Sequence, residues 1–170
     1  MDLTAGTVRI RTGVAGSAAR MGHRLVIAVD DWSATVDLRR GEPTAVRFRA
    51  SLRSLRVESG RGGVTPLTPV DKQVIVRNAA KVLNSADHPE VTFVSSEVTA
   101  VAGGYEVSGE LTIRAATRSL TTTVEVADGR AGASIPVLQT DFGIKPYSLM
   151  LGQLKVEDEV SVDLDIELAP

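Results

Sequence analysis

The chain has 170 residues, of which 43% are apolar and 24% charged, with a formal net charge of -2. That length suits one domain rather than two, the composition argues against disorder, and the small net charge leaves no bulk field to hold the chain on nucleic acid or an anionic membrane. Cysteine is absent, which excludes disulfides, thiolate metal sites and a cysteine nucleophile, and no run approaches the roughly 20 apolar residues of a membrane-spanning helix. The opening Met1-Asp2-Leu3-Thr4-Ala5-Gly6 lacks the basic start and apolar run of a signal peptide. It predicts a cytoplasmic protein; a chain trimmed of a leader would instead be periplasmic or secreted.

The dominant pattern is alternation of apolar and polar residues, the signature of strands with one buried face. Val8 and Ile10 alternate with Thr7, Arg9 and Arg11, and Leu25, Ile27 and Val29 share a face of the next run. Trp32, Ala34, Val36 and Leu38 follow, then Val46, Phe48, Ala50 and Leu52 against Arg47, Arg49, Ser51 and Arg53. The phase slips at Leu55 and Val57, which predicts a bulge or bend. Ser59 to Pro69 is rich in Gly and Pro and reads as a flexible connection. From Asp71 to Asn84 the spacing of Val74, Ile75, Ala79, Val82 and Leu83 is helical, with Asp71 as the capping residue and Pro89 barring extension.

Val91 and Phe93 restart the alternation, and Tyr105, Val107, Leu111 and Ile113 continue it after the turn Gly103-Gly104. Leu120, Thr122, Val124 and Val126 end at Asp128-Gly129, a hairpin dipeptide, before Ala131, Ala133, Ile135 and Val137. Val160, Val162, Leu164, Ile166 and Leu168 close the chain. Many strands and one short helix predict an all-β fold: an extended antiparallel barrel of about eight strands, with the helix near residues 71–84, closed so that no edge is left exposed. The inward faces are mostly small and aliphatic, so a cavity is expected.

Three segments carry a resemblance to a known family. His88-Pro89-Glu90-Val91-Thr92-Phe93, then Gly109-Glu110-Leu111-Thr112-Ile113 with Thr117-Arg118-Ser119-Leu120, then Asp141-Phe142-Gly143-Ile144, are similar in order and spacing to motifs of YceI-like proteins. The agreement covers roughly residues 5–168. Departures occur at the helix start, which reads Asp71-Lys72-Gln73-Val74-Ile75, and at Ala115, where a turn glycine is common. The resemblance implies a single lipocalin-like domain over residues 1–170. It also implies an apolar tunnel for an isoprenoid, quinone or lipid chain, a role in stress or lipid handling, and in some members a homodimer.

No catalytic or metal constellation emerges. His23 and His88 have no partner at ligand spacing, so His23 is read as a structural or cavity-mouth residue and His88 as an exposed loop residue. Asp87, Glu90 and Asp141 form no evident acid–base pair, and Asp141 suits hydrogen bonds within its turn. There is no Gly-x-Ser-x-Gly elbow and no phosphate-binding loop. Arg39, Arg40, Arg47, Arg49, Arg53, Arg56 and Arg61 lie close in sequence, opposite an acidic last strand. They read either as a phosphate-binding face or, more simply, as a solvated face paired across the sheet, and without interleaved aromatics they do not indicate nucleic acid.

The residues left to carry function are those expected to line a cavity: Leu25, Ile27, Phe48, Phe93, Val107, Leu111, Val124, Ile135, Tyr147 and Met150. Tyr147, Leu149, Met150 and Leu151 form an apolar run that either covers a barrel mouth or makes a dimer contact, and Trp32 is core or interface. The sequence thus describes a carrier for an apolar small molecule, needing no cofactor and no enzymatic group; the alternative is a filled barrel serving as a structural or interaction module.

Overall fold

The computed structural model describes residues 1–168; the last two residues of the expected domain, 169–170, lie outside them. The strands are β1 (Asp2–Leu3), β2 (Gly6–Arg11), β3 (Val14–Ala15), β4 (His23–Val29), β5 (Trp32–Arg39), β6 (Glu42–Ser51) and β7 (Leu55–Gly62). After the helix α1 (Pro69–Val82) come β8 (Glu90–Val101), β9 (Gly104–Ile113), β10 (Ala116–Ala127), β11 (Arg130–Leu138), β12 (Ser148–Leu149), β13 (Leu154–Val156) and β14 (Glu159–Glu167).

Eleven strands form one curled sheet in the order β1-β5-β6-β8-β9-β10-β11-β14-β2-β4-β7, with every pair antiparallel. A small second sheet, β12-β13-β3, lies beside it. The fold is therefore all-β and barrel-like, but with more than eight strands and without hydrogen-bonded closure, since β1 and β7 are edges. Two of the eleven, β1 and β7, escape the periodicity for plain reasons. β1 has only two residues, and the second half of β7, Ser59-Gly60-Arg61-Gly62, has the composition of a loop. That half pairs with Leu25, Arg24 and His23 of β4 and is not the flexible connection its glycines suggest. Gly60 is glycine because Leu67 and Leu25 pack where a Cβ would stand.

The slip of phase after Ala50 is a 3-10 turn, Leu52–Ser54, that carries the chain from β6 to β7. It meets the β4–β5 corner: Asp30 N–H donates to Ser54 O (3.2 Å), Asp31 N–H to Ser54 Oγ (2.9 Å) and Ser51 N–H to Asp31 O (2.9 Å). The hairpins at Arg40-Gly41 and Asp128-Gly129 place both residues at positive φ, as tight two-residue turns require.

α1 begins two residues earlier than the sequence suggests. Thr68, not Asp71, is the N-cap; its side chain accepts from Asp71 N–H, the Asp71 carboxylate accepts from Thr68 N–H (2.8 Å), and Pro69 fills a first-turn position whose N–H would have no partner. The helix packs along β7, and Lys72 Nζ donates to the Glu58 carbonyl (3.1 Å), so the helix both covers and hydrogen-bonds that edge. Ile75, Val76, Ala79 and Leu83 join the core, whereas Val74 faces solvent.

One buried cluster gathers Leu3, Trp32, Ala34 and Ala50 with Val8, Ile27, Leu55, Val57 and Ile166, uniting both edges of the sheet. Trp32 is core, its ring stacked on Phe48 at 6.2 Å. A second cluster of Ile113, Ile135, Val137, Phe142 and Ile144 lies under the other wall. The Gln139–Phe142 turn in that wall is held by Asp158, which accepts from Thr140 N–H (2.8 Å) and Oγ1 (2.5 Å); it, rather than Asp141, secures the turn.

The outer face carries the charges in cross-strand pairs: Arg47–Asp37, Arg49 with Asp31 and Glu90, Arg56–Asp30, Arg9–Glu58, Arg11–Asp163, and Arg130 with Asp165 and Glu167. Arg47, Arg49 and Arg56 of the arginine-rich middle, and Asp163, Asp165 and Glu167 of the last strand, are thus neutralised in place.

Replacing Thr68 by Ala removes the cap and is expected to lower stability by about 1 kcal/mol, read as a shift of the urea midpoint at unchanged slope. Arginine hydrogen bonds hold the carboxyls of Asp30, Asp37 and Asp165 below the usual range; for Asp163, burial pushes upward but the bonds from Arg11, Ser134 and Ser161 outweigh it. Depressed values mean stability that is whole above about pH 4 and lost as pH falls through the folded-state values. The melting temperature should be flat across neutral pH and drop below about pH 4, and the drop should be smaller in molar salt.

Candidate functional site

The inward faces of the curled sheet do not meet across it. They enclose a cavity of about 530 Å3, within the size range of small-molecule sites, roughly 300–1,000 Å3. Its shape follows the strands. Tyr105, Val107, Leu111 and Ile113 of β9 all line it, so the lining runs from residue 105 to residue 113, about 26 Å along that strand.

α1 covers one end. Ile75, Asn78, Ala79, Val82 and Leu83 line the cavity with the spacing of a single helical stripe. At the other end, by the Arg40-Gly41 and Asp128-Gly129 hairpins, Met1, Leu38 and Val126 both line the cavity and stand 41%, 48% and 36% exposed, which marks a mouth.

The structure brings Leu25, Ile27, Phe48, Phe93, Val107, Leu111, Val124, Ile135 and Tyr147 together around this space. Met150 is not among them. It sits with Leu149 and the fully exposed Leu151 on an outer tip where Met150 and Leu151 adopt positive φ, turned away from the interior. Phe48 and Phe93 face each other across the β6–β8 pair. Next to them Gly109 has no room for a side chain: a Cβ there would lie 2.7 Å from Phe93 Cζ and closer still to the Val94 carbonyl oxygen.

Asn78 is a polar lining residue that the sequence reading passed over. Its signal was a polar residue one helical step from Ile75 and Ala79, on the apolar stripe; in the structure its Nδ2 donates to the Tyr147 hydroxyl at 3.2 Å. The two histidines lie elsewhere. His23 Nε2 donates to the Thr65 carbonyl (2.7 Å), a structural bond, and His88 is half-buried rather than exposed. Among the described residues, no three His, Asp or Glu side chains gather to hold a metal, and no helix is long and apolar enough to cross a membrane.

An antiparallel sheet curled around an elongated apolar cavity, with one helix over an end, defines a barrel-like protein built around an internal space. The chain belongs to the YceI-like domain family, whose model matches residues 7–168. In fold it is similar to Burkholderia cenocepacia BcnA, at 17% identity and a TM-score of 0.70 over 95% of this chain and 96% of that one. It is also similar to a Campylobacter jejuni YCEI protein, at 16% identity and 0.61 over 83% and 82%. No curated protein matches it in sequence.

Replacing Gly109 by Ala should force Phe93 and the β8 backbone aside. The expected cost is about 1–3 kcal/mol in urea unfolding, with altered near-ultraviolet circular dichroism from the displaced ring.

Proposed function

We propose that this protein is a carrier that holds an apolar, chain-like molecule inside the barrel and sequesters or ferries it. The observation that carries this reading is the cavity: about 530 Å3, elongated, and walled by Val, Leu, Ile, Ala and Phe side chains. Membership of the YceI-like family supports an isoprenoid, quinone or lipid tail as the class of ligand. The single-domain organisation and the ligand-binding role of the nine lining residues named above belong to the same proposal.

The driving force is desolvation. At ~25 cal/mol per Å2, removing about 300 Å2 of hydrocarbon from water contributes roughly 7 kcal/mol before the costs of ordering the ligand and the wall. A preformed cavity keeps those costs low. Such binding asks for no catalytic group, and a filled barrel is the reading that the open interior weighs against.

Native mass spectrometry of freshly purified protein, compared with its denatured mass, tests the proposal. A discrete apolar adduct, lost on solvent extraction and regained with quinones or polyprenols, is the expected result. Ala133→Trp should abolish that rebinding while leaving the melting temperature close to the parent's, because Ala133 lines the cavity midway along β11. A parent protein that is clean as isolated and takes up none of these compounds would refute the carrier reading.

A further inference from the structure

An apolar cavity accepts hydrocarbon without preference; the polar groups in its wall decide what the hydrocarbon carries. Among the described lining residues there is no Asp, Glu, Lys, Arg or His. The arginines that pair with carboxylates lie on the outer face, so none is available to an anion inside.

Three of the six polar side chains in the wall are tied to groups outside it or to its backbone. The Tyr105 hydroxyl donates to Glu42 (2.8 Å), Gln139 Nε2 donates to the Glu157 carbonyl (2.9 Å), and the Thr12 hydroxyl accepts from Leu25 N–H (3.2 Å). Thr122 offers one hydroxyl partway along β10. Asn78 and Tyr147 differ because they bond to each other from two separate elements, the helix and the segment before β12, at the helix-covered end. With Asn78 Nδ2 donating, Tyr147 keeps its own proton to give and Asn78 keeps Oδ1 to accept. Together they match a group that takes one hydrogen bond and gives another.

We propose that the cavity selects neutral amphiphiles, long hydrocarbons bearing one uncharged hydroxyl or N–H amide, over their anionic counterparts, and that Asn78 and Tyr147 anchor that polar group. This rests on the carrier reading above and adds the chemistry of the ligand's head and its direction, head toward α1 and tail toward the mouth near Leu38 and Val126. Held at the α1 end, away from the Met1 ammonium at the mouth, a carboxylate or phosphate would lose its hydration with no cationic side chain to replace it, which is far costlier than burying a paired hydroxyl. A carboxylic acid would have to enter protonated, so its affinity should fall as pH rises through its own titration.

The test is displacement of the neutral dye N-phenyl-1-naphthylamine by dodecanol, dodecanoate and dodecane, with the parent, Tyr147→Phe and Asn78→Leu proteins. At about pH 8 dodecanol is expected to bind at least about tenfold more tightly than dodecanoate, and the gap should narrow as the pH is lowered toward 5. Each variant should weaken dodecanol by about three- to tenfold while leaving the dye and dodecane as they were, a pattern that a general loss of structure would not produce. Equal binding of alcohol and acid at pH 8, or variants that bind dodecanol as well as the parent, would overturn the head-group inference and leave the carrier reading standing. If neither the dye nor any of the three compounds binds the parent, the carrier reading falls and takes this inference with it.

Discussion

The structure depends on a mismatch between the perimeter of the wall and the reach of its side chains. About eight strands in a barrel give an interior that side chains can just fill, whereas this sheet has eleven strands and faces inward mainly with Val, Ala, Leu and Ile. Those side chains are too short to meet across the space. The core therefore resolves into two clusters, one around Trp32 and Val57 and one around Ile135 and Phe142, with open volume between the walls. The only wall aromatics with bulk near the middle, Phe48 and Phe93, sit side by side on neighbouring strands and do not span it.

Charge is partitioned as strictly as volume. Every ion pair among the described residues lies on the outer face or at the corners, and the wall of the cavity carries none. Alternation enforces this, because a register shift of one residue would turn Arg47 and Arg49 inward and Phe48 outward. The pairs, exposed and individually weak, thus do more to specify which face is which than to hold the strands together.

Much of this was legible in the sequence. Period-two alternation located the long strands, and the helical spacing of Ile75, Ala79, Val82 and Leu83 located the stripe that faces the cavity. What was not legible is instructive. The second half of β7 pairs with β4 although its residues favour a loop, because tertiary hydrogen bonding overrides local propensity. Asn78 was passed over because a polar residue on an apolar stripe reads as an interruption until the hydroxyl of Tyr147, 69 residues away, is brought to it. Met150 was grouped with Tyr147 by sequence proximity, but it opens the exposed turn that follows β12, whereas Tyr147 lines the cavity.

The sheet's two edges, β1 and β7, are never zipped to each other; they are joined by the buried cluster that holds Leu3 with Leu55 and Val57 and by the corner where Ser51–Ser54 meets Asp30–Asp31, with α1 packed on β7. A closed barrel has its circumference set by strand number and stagger. A wall with a seam has no such fixed girth: its two edges are joined by side-chain packing, so a change of calibre would be opposed by apolar contacts and by the Lys72 bond to β7 and by no ladder between the edges.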